Sequence, residues 1–296
     1  MPAAITHCLQ SQRTLDKLRE QGAALPPSRD AFLWGAQGPD FLMCHRFLPW
    51  WKGESLARYG DLLHDLPPAK TLSAMWRYVN SRPEDGEARS YAMGFLCHYA
   101  ADSICHPFVE YGARALAEKD PSQDEGVYHN EIESALDLIF LRYERAALPS
   151  EFPLKRTVPH NPAAQAAIAR LYQPLFLELF GKQVGTELLA QSLEDCRRIF
   201  SLLTDRTGLK KNLVRRLERG KRRAISCHIR GMAEQDGLDY ANTLLEEWRW
   251  PWEGGAPRRE SFFDLYEASV EKAAALIQAA PACTDFEALT GKVPFA

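Results

Sequence analysis

The sequence predicts an all-α protein built as a single multi-helix bundle. Three observations carry this. Apolar residues recur at helical spacing along most of the chain, alternating strand-like runs with hairpin turns are almost absent, and no internal repeat or low-complexity tract divides the 296 residues. A hydrophobic content of 46% supplies a sizeable core, and one domain over residues 1–296 is the simplest organisation.

Each element follows from its local pattern. Residues 5–20 read as a first helix. The stretch 25–53 contains LPPSRD, GAQGPDF and LPWWKGE, whose prolines and glycines predict loop or short turns. Helices follow at 55–64, 68–81, 87–118 and 127–146, the last two as a packed pair. After the proline-rich connector ALPSEFPLKRTVPHNP, helices are expected at 162–180, 183–205, 207–222, 223–247 and 260–279.

Composition narrows the setting. Charged residues make up 25% and the formal net charge is -3, so no global charge draws the chain to nucleic acid or to an anionic membrane. No run approaches the roughly eighteen apolar residues of a membrane span, and the N-terminus lacks a signal-peptide pattern. Seven cysteines, an odd number without CxxC pairs, fit reduced thiols, and the expected location is cytoplasmic.

The chemistry is concentrated in GFLCHYAADSICHPFVEY, where His98, Asp102 and His106 fall at i, i+4 and i+8. Four residues advance a helix by about 400°, so the three side chains share one stripe. His129 and Glu133 in YHNEIESALD form a second pair one turn apart. Imidazole and carboxylate at this spacing suit zinc. A lone buried histidine is more often a satisfied core residue, and an HxxxE pair also occurs as an ordinary helix contact. Here apolar GFLC, Tyr99 and Phe108 flank Asp102, and a carboxylate among them is costly without a cation or donors. Metal compensation is therefore the stronger reading. Cys105, near the same stripe, is read as a packed thiol rather than a ligand.

Together, ITH, WGAQGPDF, GDLLH, HYAADSICHP and HNEIE, with EEWRWPWE and SFFDLYEASV more weakly, resemble the zinc-dependent phospholipase C family, which is related to the single-strand zinc nucleases. The resemblance implies a helical bundle with two or three zinc ions in a cleft. It implies that Asp40, His64, His98 and Asp102 surround one ion, that His106, His129 and Glu133 hold a second, and that Asp102 bridges to a third. By the same resemblance, the third takes His7 and the N-terminal residue, which becomes Pro2 once Met1 is removed. His45 competes with His64 for the early position. GDLLH ends a predicted helix and matches the family motif, which favours His64.

Clustered zinc lowers the pKa of water to about 7, supplying the nucleophile without a serine or cysteine. Asp40 both ligates and orients or deprotonates that water. The expected substrate is a phospholipid or another phosphodiester. A single-strand nuclease or 3′-nucleotidase, with nucleic acid as partner, is the alternative, and a non-catalytic zinc-stabilised helical protein a further one. Trp34, Phe41, Phe47, Trp50 and Trp51 flank the Asp40 loop, either to hold substrate or to pack the loop, and WWK could touch a membrane interface. Lys210, Lys211, Arg215, Arg216, Arg219, Lys221, Arg222 and Arg223 crowd one stretch. It is either a solvated face or a peripheral contact for an anionic surface.

Overall fold

The structure, a computed structural model, describes residues 3–48, 50–218, 223, 225–233, 237–250 and 255–295. Among the described residues there are eleven α-helices and no strand, and extended backbone pairs only in two isolated bridges, Thr204 with Arg230 and Trp248 with Arg258. The fold is all-α, as the periodicity predicts. None of the described helices is long and apolar enough to cross a membrane.

The axis of the bundle is α5, Gly86–Lys119. Asp85 starts it by accepting a hydrogen bond from the Ala88 amide at 3.0 Å. Its 34 residues reach roughly 50 Å at about 1.5 Å each. From Tyr91 to Cys105 it is buried on almost every side, as expected of a helix that is apolar all round. Its cover is α1 (Ala4–Glu20), α2 (Arg29–Ala36), α4 (Pro68–Asn80), α6 (Glu125–Arg145), α7 (Pro162–Phe180) and α10 (Phe262–Ala279). α3 (Arg58–Asp65) packs on the turn at Asp40–Leu42, and α8 (Thr186–Leu203) packs on α7 and on that turn.

The contact between α2 and α5 fixes the site. A methyl group added at Gly35 would lie 2.1 Å from the Tyr91 carbonyl oxygen, and one at Gly94 would lie 2.1 Å from that of Phe32. Two backbones touch here, and only glycine leaves room on either side. The expectation of loop throughout 25–53 is corrected by α2. Ser28 accepts a hydrogen bond from the Ala31 amide, and Asp30 in the first turn favours the positive end of the helix dipole. The glycine that reads as a breaker is a packing residue.

A second correction concerns the helix expected over 223–247. The described residues there form only a single 3-10 turn, Ser226–His228, followed by turns. Gly237, Asn242 and Leu245 have φ of +82°, +53° and +55°, which no right-handed helix accommodates. The expected helix 207–222 is α9, Leu209–Leu217, and residues 219–222 lie outside the described residues. α11, Phe286–Thr290, was not expected; Asp285 caps its first amides. Elsewhere the expected helices stand within a few residues of the observed ones, and the predicted pair is the packed pair α5 and α6.

All seven cysteines are free thiols. Of the aromatics beside Asp40, Trp34 and Phe41 are buried and serve packing, with the Trp34 indole donating to the Pro159 carbonyl at 3.0 Å, whereas Trp50 is 69% exposed.

Candidate metal centre

Five elements converge on the middle of α5. α1 brings His7 in its first turns, the turn after α2 brings Asp40, the last turn of α3 brings His64, α5 brings His98, Asp102 and His106, and α6 brings His129 and Glu133. Three sets of donor atoms each gather within 4.8 Å: His7, His98 and Asp102; Asp40, His64 and His98; His106, His129 and Glu133. Pro2 lies outside the described residues.

Asp102 joins the sets, because its two oxygens face different imidazoles. Oδ2 lies 3.1 Å from His98 Nε2 and 3.5 Å from His64 Nε2. Oδ1 lies 3.2 Å from His7 Nε2 and 3.7 Å from His106 Nε2. Asp40 Oδ1 approaches His64 Nε2 at 3.4 Å. Glu133 Oε1 stands 3.2 Å from His129 Nε2 and 3.6 Å from His106 Nε2. The helical stripe 98, 102, 106 thus lies along both clusters, as its i+4 spacing requires.

Contacts behind the imidazoles set which nitrogen faces inward. His64 Nδ1 is 2.8 Å from the Gly60 carbonyl, which can only accept, so Nδ1 carries hydrogen and Nε2 is the nitrogen that faces the cluster and frees a lone pair on losing its proton. Nε2 of His98 faces it at 3.1 Å. His129 Nδ1 is 2.7 Å from Glu110 Oε1, a carboxylate–histidine arrangement that typically orients metal-binding imidazoles. Glu110 was not foreseen, although it continues the stripe 98, 102, 106 by one further step of four.

Gly38 and Phe295 complete the walls. At Gly38, φ is +55° and an added methyl would sit 2.0 Å from His98 Cδ2, so glycine there lets the Asp40 turn close over the ring. Phe295 is fully buried, its ring 5.5 Å from that of His64 and 6.2 Å from that of His98. No local pattern in the closing KVPFA signals that contact.

The charges are strongly coupled. Burial pushes the Asp40 carboxyl up to about 6. Burial also opposes charge on His64 and His129, yet the contact with Asp102 raises His64 to about 9, and the Glu133 charge with the Glu110 contact raises His129 to about 10. His98 is held well below the usual imidazole range by burial. Burial alone would raise Asp102 and Glu133. The surrounding imidazoles, His98 and His106 for the first and His129 for the second, hold both well below it.

These residues fit zinc. Both oxygens of Asp102, Oδ2 of Asp40, Oε2 of Glu133 and Nε2 of His106 are buried without a hydrogen-bond partner. The ion-pair approaches to Asp102 therefore do not satisfy it as hydrogen bonds would. Unsatisfied buried acceptors of this kind are costly unless a cation takes their lone pairs. The donor set of imidazole nitrogen and carboxylate oxygen is that of zinc. His45 stands apart: its Nδ1 accepts from the Leu56 amide at 2.9 Å, and burial lowers it to about 4. Cys105 is buried, which pushes its thiol pKa up and keeps it protonated.

No curated protein and no solved structure matches the chain. A family model described as zinc dependent phospholipase C matches residues 1–180, more than half of the sequence, including every clustered imidazole and carboxylate of the site. Membership implies a hydrolase, a zinc cofactor and a phospholipid substrate class. With the helical fold and the clustered imidazoles and carboxylates already in view, the match shows that the chain belongs to the zinc-dependent phospholipase C family.

Proposed function

We propose that this protein hydrolyses a phosphodiester in the manner of a phospholipase C, working with two or three zinc ions on a phospholipid or a related phosphate ester. The observation that carries the reading is Asp102, a buried carboxylate with no hydrogen bond to either oxygen and four imidazoles within 3.7 Å. Asp40, His64, His98 and Asp102 hold one ion, and His106, His129 and Glu133 hold a second. His7 and Asp102 would hold the third.

Bound zinc supplies Lewis acidity toward phosphate oxygens and brings the pKa of water near about 7. The chain does the rest. Gly60 and Glu110 hold the His64 and His129 rings with Nε2 inward. Asp40, whose Oδ2 has no other partner, orients the attacking water and accepts its proton. Phe295 and Phe95 keep bulk solvent from the His98 side, which strengthens every charge interaction within.

The test is one purified sample. Metal analysis is expected to give about two to three zinc per chain, the number the donor sets can hold. Among a phosphocholine diester, a bis-aryl phosphodiester and single-stranded DNA, the phosphocholine diester should be cleaved to the phosphorylated alcohol. Cleavage of DNA alone would assign a nuclease. Zinc bound with every substrate intact would assign a structural metal.

A further inference from the structure

Among the described helices, α9 is the one that buries none of its residues. Its sequence, LKKNLVRRL, repeats leucine at Leu209, Leu213 and Leu217. Four residues advance a helix by about 400°, so these three leucines lie in one stripe about 80° wide. They are 70%, 59% and 71% exposed, and the neighbouring Leu202 is 53% exposed. Scattered single apolar side chains are ordinary on a surface, whereas a contiguous stripe marks an interaction site.

The stripe is held outward by a firmly anchored helix. Asp205 accepts hydrogen bonds from the amides of Thr207, Gly208 and Lys211 at 3.1, 2.9 and 2.9 Å. The Lys210 ammonium donates to the carbonyls of Leu202 and Thr204 at 3.0 and 2.6 Å. Val214, about 100° round the helix from the centre of the stripe, packs against the core. α9 also packs on the turn Ser226–His228, which packs on α6, the helix that carries His129 and Glu133.

Charge identifies the occupant. Residues 206–223 hold nine basic side chains and one acidic one, Glu218, in a chain whose net charge is -3. Glu218 is engaged with the Ile225 and Ser226 amides and the Ser226 hydroxyl. Among the described residues, no carboxylate forms an ion pair with Lys211, Arg215 or Arg216. A second copy of this chain would bring the same positive charge against it. A nucleic acid would leave the leucines in water.

We propose that α9 is a docking helix for the surface of an anionic phospholipid bilayer. Its leucine stripe enters the boundary between headgroups and acyl chains, Arg216 at the edge of the stripe meets lipid phosphates, and Arg215 adds to the positive field of the helix. The placement goes beyond the hydrolytic reading and does not rest on it, because docking needs no turnover and lies outside the family-matched residues 1–180.

The experiment measures binding of the full zinc-loaded chain to vesicles of phosphatidylcholine alone and of phosphatidylcholine mixed with phosphatidylserine, by flotation at two ionic strengths. Binding is expected to the mixed vesicles, about tenfold weaker to the neutral ones and weaker again at high salt. The double variants Leu213→Ser/Leu217→Ser and Arg215→Glu/Arg216→Glu should each lose about tenfold in partitioning. Both should retain the melting temperature and the zinc content of the parent, since the altered side chains are exposed. Absence of binding by the parent, equal binding by the variants, or equal binding to neutral vesicles would overturn the proposal. So would a concentration-dependent dimer that the leucine variant dissolves.

Discussion

Two buried aspartates, one on α5 and one a helix away on α6, show what separates a structural charge from a site. Asp137 is fully buried and fully answered. The Thr6 amide and hydroxyl donate to its Oδ1 at 2.7 and 2.9 Å, and Arg230 Nε donates to its Oδ2 at 2.8 Å. Asp102 is equally buried, yet neither of its oxygens accepts a hydrogen bond, and its neighbours are imidazoles that present ring nitrogens rather than well-aligned donors. Burial of a carboxylate is therefore uninformative by itself. The unmet acceptor capacity distinguishes a place where a cation belongs.

Substitution should separate the two most sharply. Asp102→Ala removes the group shared by the clusters, so zinc content should fall below half that of the parent and turnover by on the order of 10³-fold. Retention of both would make Asp102 a packing residue like any other. Asp137→Ala removes the carboxylate that pairs with the buried Arg230 guanidinium and accepts from Thr6, which is expected to cost about 3–5 kcal/mol in denaturant unfolding. The protein that remains folded should bind zinc normally, and an equal loss of metal would erase the contrast.

Glu110→Gln is a finer probe. It keeps a hydrogen bond to His129 Nδ1 but removes the charge that orients the ring, and zinc affinity of the His106, His129 and Glu133 set should fall by about 10–100-fold. The Asp40, His64 and His98 set, which Glu110 does not touch, should keep its affinity in a competition titration with a chelator.

The smallest effect is in protons. Without zinc, His64 titrates at about 9 and His129 at about 10, above the ordinary 6.5. Both carry protons at neutral pH and must lose them to bind metal, so affinity should strengthen as pH rises and level off beyond those values. Calorimetry of the stripped protein in two buffers of different ionisation enthalpy should show protons released at pH 7, with the release falling away as pH rises through about 9 and 10. The linkage to stability has the matching sign. In the stripped protein the two raised values stabilise the fold fully below 6.5, and that contribution disappears as pH climbs through about 9 and 10.

Much of this site was legible in the order of residues, and the exceptions share a cause. The stripe of His98, Asp102 and His106 needs only helical geometry, and His64 was preferred over His45 from its position at a helix end. α2 was missed because Gly35 reads as a breaker until Gly94 is known to lie against it, a tertiary fact with no local trace. Glu110 was legible in principle, since one further step along the stripe reaches it. Phe295 was not, because nothing in its neighbourhood encodes contact with the rings of His64 and His98, far earlier in the chain. The missed turns of 223–247 fail for the opposite reason: helical composition there is overridden by positive φ at Asn242 and Leu245.

The most direct measurement is a diffraction experiment on zinc-loaded crystals at the zinc absorption edge. Anomalous peaks are expected between Asp102 Oδ2 and the Asp40, His64 and His98 side chains, and among His106, His129 and Glu133. Crystals in which those positions carry no anomalous signal, with Asp102 hydrogen-bonded by water alone, would contradict zinc binding there.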